Sequence, residues 1–488
     1  MITCDFEKRG AAGLCDFLYG SIRQQILDGT LRADEKLPSK RSLAGHLGVS
    51  VTTVQNAYGQ LISEGYLYSI EKKGFFVTDI SSAVPLKPPE APPAGTPPHD
   101  EERFRTRAEA PDAPAEPPEW FADFGSNATS CEKFPFSLWA HVMRKVLRTA
   151  DEALLKSSPA AGIPELRSAV ADYLRQFRNM NVQPDQIVIG AGTESLYAAI
   201  VQLLGRERAY AVENPGYRKV AEVLRLNGGR CIPIGMDAHG IRPDALEQSG
   251  AQIVHVSPSH HFPTGIVMPV RRRMELLGWA AADSARRIIE DDYDSEFRFN
   301  GKPLQTMQGA DAGGRVIYVN TFSKTLSPSF RIGYMVLPPN LVPLFAARMG
   351  AFANPVSAFE QRTLAEFIKK GFFAAHIIRM KNYYRTLRNN LIQSLHGGRL
   401  ADILDIREEE AGLHFLLIVR LPLSAGEIQK RLEQNGIRLP PLSAFFHRAG
   451  GTEDEAAFSG NAFVVNYSGL RKERISETAR RIEAALLS

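Results

Sequence analysis

The chain has 488 residues, 44% hydrophobic and 23% charged, with 58 Lys/Arg against 54 Asp/Glu and a formal net charge of +4. This is ordinary for a globular protein of about three domains, and the small charge neither demands nor excludes nucleic acid. No apolar run reaches the roughly 18 residues of a membrane span, and the start MITCDFEKRG has no signal-peptide core.

The four cysteines (Cys4, Cys15, Cys131, Cys231) are scattered without metal-ligand spacing, which reads as a cytoplasmic protein with free thiols. Residues 1 to 79 read as one small unit. Leu14, Leu18, Ile22 and Ile26 recur every four residues as one face of a helix that ends by Gly29. Ser39 offers an N-cap to a short helix carrying Leu43 and Leu47, stopped by Gly48. Ser50 caps a third helix with Val54, Ala57, Tyr58 and Leu61 on one side and Gly65 beyond it. Two short helices around a glycine-containing turn are helix-turn-helix grammar. Tyr66–Ile70 and Phe75–Val77, joined by Glu71-Lys72-Lys73-Gly74, read as a hairpin wing with a basic tip. In a winged helix the Ser50 helix enters the major groove. Ser50, Thr52, Thr53, Gln55 and Asn56 then reach bases or phosphates, with Lys40 and Arg41 on the DNA backbone from the preceding helix and Lys72 and Lys73 from the wing. A small helical packing module is the other reading, since nine Lys/Arg face eight Asp/Glu over residues 1–78.

The stretch LPSKRSLAGHLGVSVTTVQNAYGQLISEGYL closely resembles the GntR-type winged helix. The resemblance implies operator DNA binding through Arg41 and the Ser50 helix. Val51 stands where that family commonly has Arg or another polar residue, so a contact is lost there or a thymine methyl is read instead.

Residues 80–119 hold eleven prolines and almost no large apolar residues. Such a segment cannot bury a core and reads as an extended, semi-rigid linker between two units with separate tasks; a remnant without a role is the alternative.

From 120 to 488, helical patterns alternate with short apolar runs: Ile187–Ile189, Arg208–Val212, Ile253–Val256, Arg287–Glu290, Val316–Val319 and Tyr334–Leu337. Alternation of this kind predicts an α/β domain on a mostly parallel sheet, with ligands bound beyond the strands' carboxyl ends. The polar stretches stand there. Gly190-Ala191-Gly192-Thr193-Glu194 enters a helix, where amides suit an anion. Asp291-Asp292-Tyr293-Asp294-Ser295-Glu296 offers a carboxylate for a protonated pyridine nitrogen, or, with four acids so close, a cation site; no His or Cys supports the latter. TFSKTLSPSFR sets Lys324 among the hydroxyls of Thr321, Ser323, Thr325 and Ser327, with Arg331 seven residues on. Hydroxyls and a guanidinium suit a phosphate monoester, and a desolvated lysine forms a Schiff base, so the pair points to pyridoxal 5'-phosphate (PLP). A solvated Ser/Thr loop is the plain alternative.

Together ENPGY, SHHFPTG, EDDYDSEF and TFSKTLSPSFRIGY resemble a fold-type I aminotransferase domain over nearly all of 120–488, with a smaller C-terminal α+β subdomain from about 340. The resemblance implies that Lys324 is the internal-aldimine lysine. Asp291 pairs with the pyridine nitrogen, Tyr293 bonds the ring hydroxyl and Tyr217 stacks on the ring. Ala191, Gly192, Thr193, Thr321, Ser323 and Arg331 hold the phosphate. His260 and His261 fall at a ring-side polar pair, His261 replacing the family's Gln. No metal is expected.

The order winged helix, linker, aminotransferase-like domain resembles the MocR/GabR-type regulators, which implies a head-to-tail homodimer binding operator DNA under control of PLP or an amine effector. Val464, in FVVNYSGL, stands where the family's carboxylate-gripping arginine is usual. A valine forms no ion pair, which argues against efficient transamination of α-amino acids unless Arg218, Lys219 or Arg438 substitutes. A catalytically active aminotransferase with an inherited DNA-binding head is the rival reading.

Overall fold

The computed structural model describes residues 4, 13–79, 119–126, 128–149, 152–299, 304–410, 412–447 and 460–487. The expected linker, 80–119, lies outside the described residues except for Glu119. The chain divides into two compact units, 1–115 and 116–488.

In the first unit, α1 (Leu14–Leu27), β1 (Lys36–Leu37), α2 (Lys40–Leu47), α3 (Val51–Ser63), β2 (Leu67–Ile70) and β3 (Gly74–Val77) follow one another. Leu18, Ile22 and Ile26 of α1 meet Leu43 of α2 and Val54, Ala57, Tyr58 and Leu61 of α3 in one core, so the four-residue spacing does mark the buried face. Both caps form. Ser39 Oγ accepts from Ser42 N–H at 3.2 Å, and Ser50 Oγ accepts from Thr53 N–H at 3.0 Å. Gly48 closes α2 with φ +66, a left-handed turn that favours glycine. β1 is an addition to the expected wing: Lys36 and Leu37 pair with Phe76 and Phe75 of β3. Two residues are too few to leave a period in the sequence.

The second unit is built on an eight-stranded sheet. After a short β4 (Ala122–Asp123) come α4 (Phe136–Arg148), α5 (Pro164–Arg178), β5 (Ile187–Gly190), α6 (Thr193–Leu204), β6 (Ala209–Asn214) and α7 (Arg218–Leu226). The strands β7 (Arg230–Asp237), β8 (Gly240–Ile241), β9 (Ile253–Val256), β10 (Arg287–Asp291), β11 (Val316–Thr321) and β12 (Gly333–Val336) complete it. Their order across the sheet is β5-β12-β11-β10-β9-β6-β7-β8. All six expected strands are present, and β7 and β8 extend the sheet. Strands β11, β10, β9, β6 and β7 run parallel, whereas β12 is antiparallel to both β11 and β5. Each face is covered. Ile187 and Ile189 of β5 pack with Leu166, Val170 and Leu174 of α5, while Val188 between them packs with Leu196 and Ile200 of α6. Burial on both faces is why these strands read as continuous apolar runs instead of alternating ones.

A smaller antiparallel sheet, β13 (Leu404–Arg407), β14 (His414–Val419) and β16 (Ala462–Asn466), lies in a second lobe, with β15 (Ile437–Arg438) pairing with β4. Its core joins Leu417, Phe463, Val465 and Ile482 to Ala122, Phe124 and the far half of the helix Phe372–Leu395. Within the helix Phe372–Leu395 the lobe's core takes residues from Met380 onward. Phe345, Leu364, Phe367 and Phe373 pack on the large sheet's clusters because their helices lie against it.

Candidate functional site: a lysine, a carboxylate and an anion clamp around one cavity

The carboxyl ends of β10 and β11 and the amino end of α6 converge on a cavity of about 240 Å³. Lys324, Asp291, Tyr293 and Tyr217 line it, and so do Thr193, Thr321, Ser323 and Arg331. Eight residues scattered over 139 positions of sequence thus share one space, as expected for ligands at the strand ends of an α/β sheet. Ala191 and Gly192 stand just behind them as the last residues before α6; Ala191 N–H donates to Ser195 Oγ at 3.3 Å.

Lys324 sits in the turn after β11. Burial lowers its amine pKa to about 8, against an opposing pull from Asp294. Asp291 ends β10. Its Oδ2 accepts from the Tyr197 hydroxyl at 2.8 Å and lies 3.5 Å from His255 Nε2, while Tyr197 and His255 are 2.9 Å apart. Its buried Oδ1 has no hydrogen-bond partner among the described residues. A buried carboxylate oxygen left open is costly in a folded chain and marks a place for a donor from a ligand. Tyr197 and His255 were not foreseen. Tyr197 is one apolar position among many on α6, and His255 is hidden inside the apolar run IVHV.

On the other side Arg331 has a left-handed backbone (φ +48). Its guanidinium lies over Gly192, where an added Cβ would stand 2.8 Å from Nη2. Glycine is required at 192 for this close approach as well as for its own φ of +80. Thr321 Oγ1 donates to Ser323 Oγ at 2.9 Å, completing a rim of hydroxyls beside the amino end of α6. Glu194, in the first turn of that helix, was not singled out from the sequence. It accepts from Arg331 Nη2 at 2.9 Å and pairs with Lys219.

The five acids of EDDYDSEF have different partners, with Glu296, near Asp292, accepting from the Tyr173 hydroxyl at 3.4 Å. Glu290 accepts from the Met307 and Gln308 amides, and burial raises its pKa to about 7. Asp291 faces the cavity. Asp292 pairs with the buried Arg178 and accepts from Tyr318 at 2.7 Å. Asp294 accepts from His260 Nδ1 at 2.9 Å and from Leu413 N–H at 3.2 Å. Strand alternation and the turn that follows send these side chains apart, so they form no shared cation cage. Donor atoms of His260, Asp294 and His414 do lie within 4.8 Å of one another, all buried; His260 bonds Asp294 at 2.9 Å beside Gly412, and the His260 and His414 rings stand 4.2 Å apart. His260 also approaches the Tyr293 hydroxyl at 3.4 Å, so it stands one step behind the cavity wall. His261 turns the other way, to Thr264 and Glu213; burial lowers its pKa to about 3, so it is a neutral ring.

Val464 is buried on β16 in an apolar cluster with Leu416, Leu442 and Ala462, against which Phe262, Phe445 and Phe446 pack. Of the three substitute cations, Lys219 is held by Glu194 and Arg438 by Asp123 at 3.3 Å. Arg218 donates to the Ala444 carbonyl at 3.5 Å.

In the winged unit, Arg41, Thr52, Gln55, Asn56, Lys72 and Lys73 are exposed. Lys40 is half-buried with its ammonium over the Phe75 ring, 5.4 Å from the centroid. The Ser50 and Thr53 hydroxyls bond each other at 2.8 Å, so both serve the helix cap.

An aminotransferase-like body bearing a winged helix is the class these two units define. Residues 122–450 match the model for aminotransferases class I and II, and residues 14–77 match that for bacterial regulatory proteins of the gntR family. The chain is 32% identical to the probable rhizopine catabolism regulatory protein MocR of Rhizobium meliloti, over 96% of this chain and 93% of that one. It is 31% identical to the HTH-type pyridoxine biosynthesis transcriptional regulator PdxR of Corynebacterium glutamicum, over 89% and 88%. LysN, the α-aminoadipate aminotransferase of Thermus thermophilus, solved with N-(5'-phosphopyridoxyl)-L-leucine, superposes with a TM-score of 0.63 at 26% identity, covering 75% of this chain and 92% of LysN. The chain belongs to the MocR/GabR-type family of HTH transcriptional regulators. No helix among the described residues is long and apolar enough to cross a membrane.

Proposed function

We propose that this protein is a PLP-dependent regulator that binds operator DNA through its winged helix and carries PLP on Lys324. The observation that carries the reading is that three groups line one cavity: an amine of depressed pKa on Lys324, an open carboxylate oxygen on Asp291 and the Arg331 guanidinium. PLP supplies an electrophilic aldehyde and an electron-withdrawing ring. Lys324 would be the attachment point, the Asp291 Oδ1 would take the protonated ring nitrogen, and Tyr217 and Tyr293 would hold the ring and its hydroxyl. Arg331, Thr321, Ser323, Thr193 and the amides after Ala191 and Gly192 take the phosphate. His260 supports Tyr293 from behind.

PLP itself is the favoured signal over an α-amino acid. The Val464 neighbourhood is apolar, and Lys219 and Arg438 are already ion-paired, which leaves only the exposed Arg218, bonded to the Ala444 carbonyl, among the three to meet a substrate carboxylate. Arg41, Lys72 and Lys73 would grip phosphates, and Thr52, Gln55 and Asn56 would face the groove, in a cytoplasmic, head-to-tail homodimer. The test is operator binding by the full chain with and without PLP, beside an assay for amino-group transfer. A change in operator affinity on adding PLP is expected. Affinity indifferent to PLP, with turnover at ordinary enzyme rates of about 1 to 1000 per second, would establish the rival aminotransferase reading.

The lysine's pKa sets a pH profile. Only the neutral amine attacks a carbonyl. With a pKa of about 8, covalent PLP uptake should rise about tenfold per pH unit below 8 and level off above it. Stopped-flow absorbance from pH 6 to 9 would measure this. A rate still climbing steadily at pH 9, as for an ordinary lysine, would contradict it.

A further inference from the structure

The ion pairs beside the hydroxyl rim carry an inference that rests on the PLP reading. Arg331 lies over the amino end of α6, where helix geometry favours an anion, and the anion it holds is the chain's own Glu194 carboxylate. The same carboxylate pairs with Lys219, and all three residues line the cavity. Lys219 foremost, and Arg331 with it, hold the Glu194 carboxyl below its usual range, against a smaller opposing effect of burial. The Lys219 amine is raised in turn, chiefly by its bond to Glu194. A guanidinium fork that grips a carboxylate oxygen is the same fork that grips a phosphate, and it cannot serve both fully. A carboxylate beside a phosphate dianion is also repelled by it.

We propose that Glu194 is a built-in competitor for the cofactor's phosphate. It occupies Arg331 until a phosphate monoester displaces it, and Lys219 keeps the displaced carboxylate paired. The exchange breaks one ion pair and makes another, with no covalent change. It ties occupancy to the phosphorylated form of the vitamin and sets the concentration at which the site fills. Two features make the exchange feasible. Lys219 and Arg331 hold different oxygens of Glu194, so one pair can open while the other stays. The Glu194 side chain is 40% exposed, so it has room to swing.

The experiment titrates PLP, pyridoxal and inorganic phosphate into cofactor-free full-length protein, comparing wild type with Glu194→Gln, Lys219→Gln and the double variant. Glu194→Gln should bind PLP and inorganic phosphate about tenfold more tightly. Its affinity for pyridoxal, which has no phosphate, should change by less than about twofold. Lys219→Gln should weaken PLP binding because the displaced carboxylate loses its partner, and the double variant should return to the tight binding of Glu194→Gln. Unchanged or weaker binding of both phosphate-bearing ligands by Glu194→Gln would overturn the proposal, as would an equal gain for pyridoxal. Tighter PLP binding by Lys219→Gln would overturn the receiving role of Lys219. Wild-type protein that takes up neither PLP nor pyridoxal would end the cofactor reading instead, and the inorganic phosphate titration would still decide the competition.

Discussion

Replacing Lys324 by alanine is expected to abolish the covalent absorbance band of added PLP and to make operator binding the same with and without the cofactor. Lys324 lines the same cavity as the Asp291 carboxylate and the Arg331 guanidinium. Lys219, the other lysine lining the cavity, is engaged by Glu194. The Arg331 and hydroxyl contacts remain in the variant, so phosphate-bearing ligands should still associate, reversibly and without the band. A Lys324→Ala protein that keeps the full PLP response at the operator would mean that covalent attachment plays no part in signalling. Persistence of the band would mean that another amine carries the cofactor. Both outcomes are read on the same sample, by absorbance and by a DNA mobility shift.

The largest stability effect is expected at Arg178. This arginine reaches from the last turn of α5 to Asp292, with 4% and 0% of the two side chains exposed. Tyr318 donates to the same carboxylate, and Glu296, whose pKa burial raises to about 7, stands near it. Removing the cation leaves a buried acidic cluster without its counter-charge. Breaking such a pair from one side typically costs about 3–5 kcal/mol. Arg178→Leu should therefore lose about that much stability in urea unfolding, and adding Asp292→Leu should recover part of it, because an apolar pair leaves no orphaned charge. A single-variant loss below about 1 kcal/mol would show that water reaches the site and solvates Asp292.

The two units were legible in the sequence for different reasons. The winged helix was readable from spacing and caps, since Ser39, Ser50 and Gly48 announce helix ends by local chemistry. The large sheet was readable because buried strands leave apolar runs and the polar motifs follow them directly. What stayed hidden is whatever depends on long-range pairing. The Tyr197–His255–Asp291 contacts link three elements over 94 positions. The Glu194 pairs reach across 137 positions to Arg331. Nor does a motif say how its acids divide: EDDYDSEF looks like one cluster on paper, and only the pleat of β10 and the turn after it separate Glu290, Asp291, Asp292 and Asp294.

The apolar cluster around Val464 also limits what the site can become. An arginine placed at 464 alone would bury a guanidinium against Leu416, Leu442 and Ala462, and overpack a site that now fits a valine. Each neighbour that would need to shrink or turn polar loses its own packing if it changes first. A charged anchor at this corner is thus reached only through several destabilised intermediates. A corner filled with hydrocarbon in this way resists gaining a guanidinium one substitution at a time.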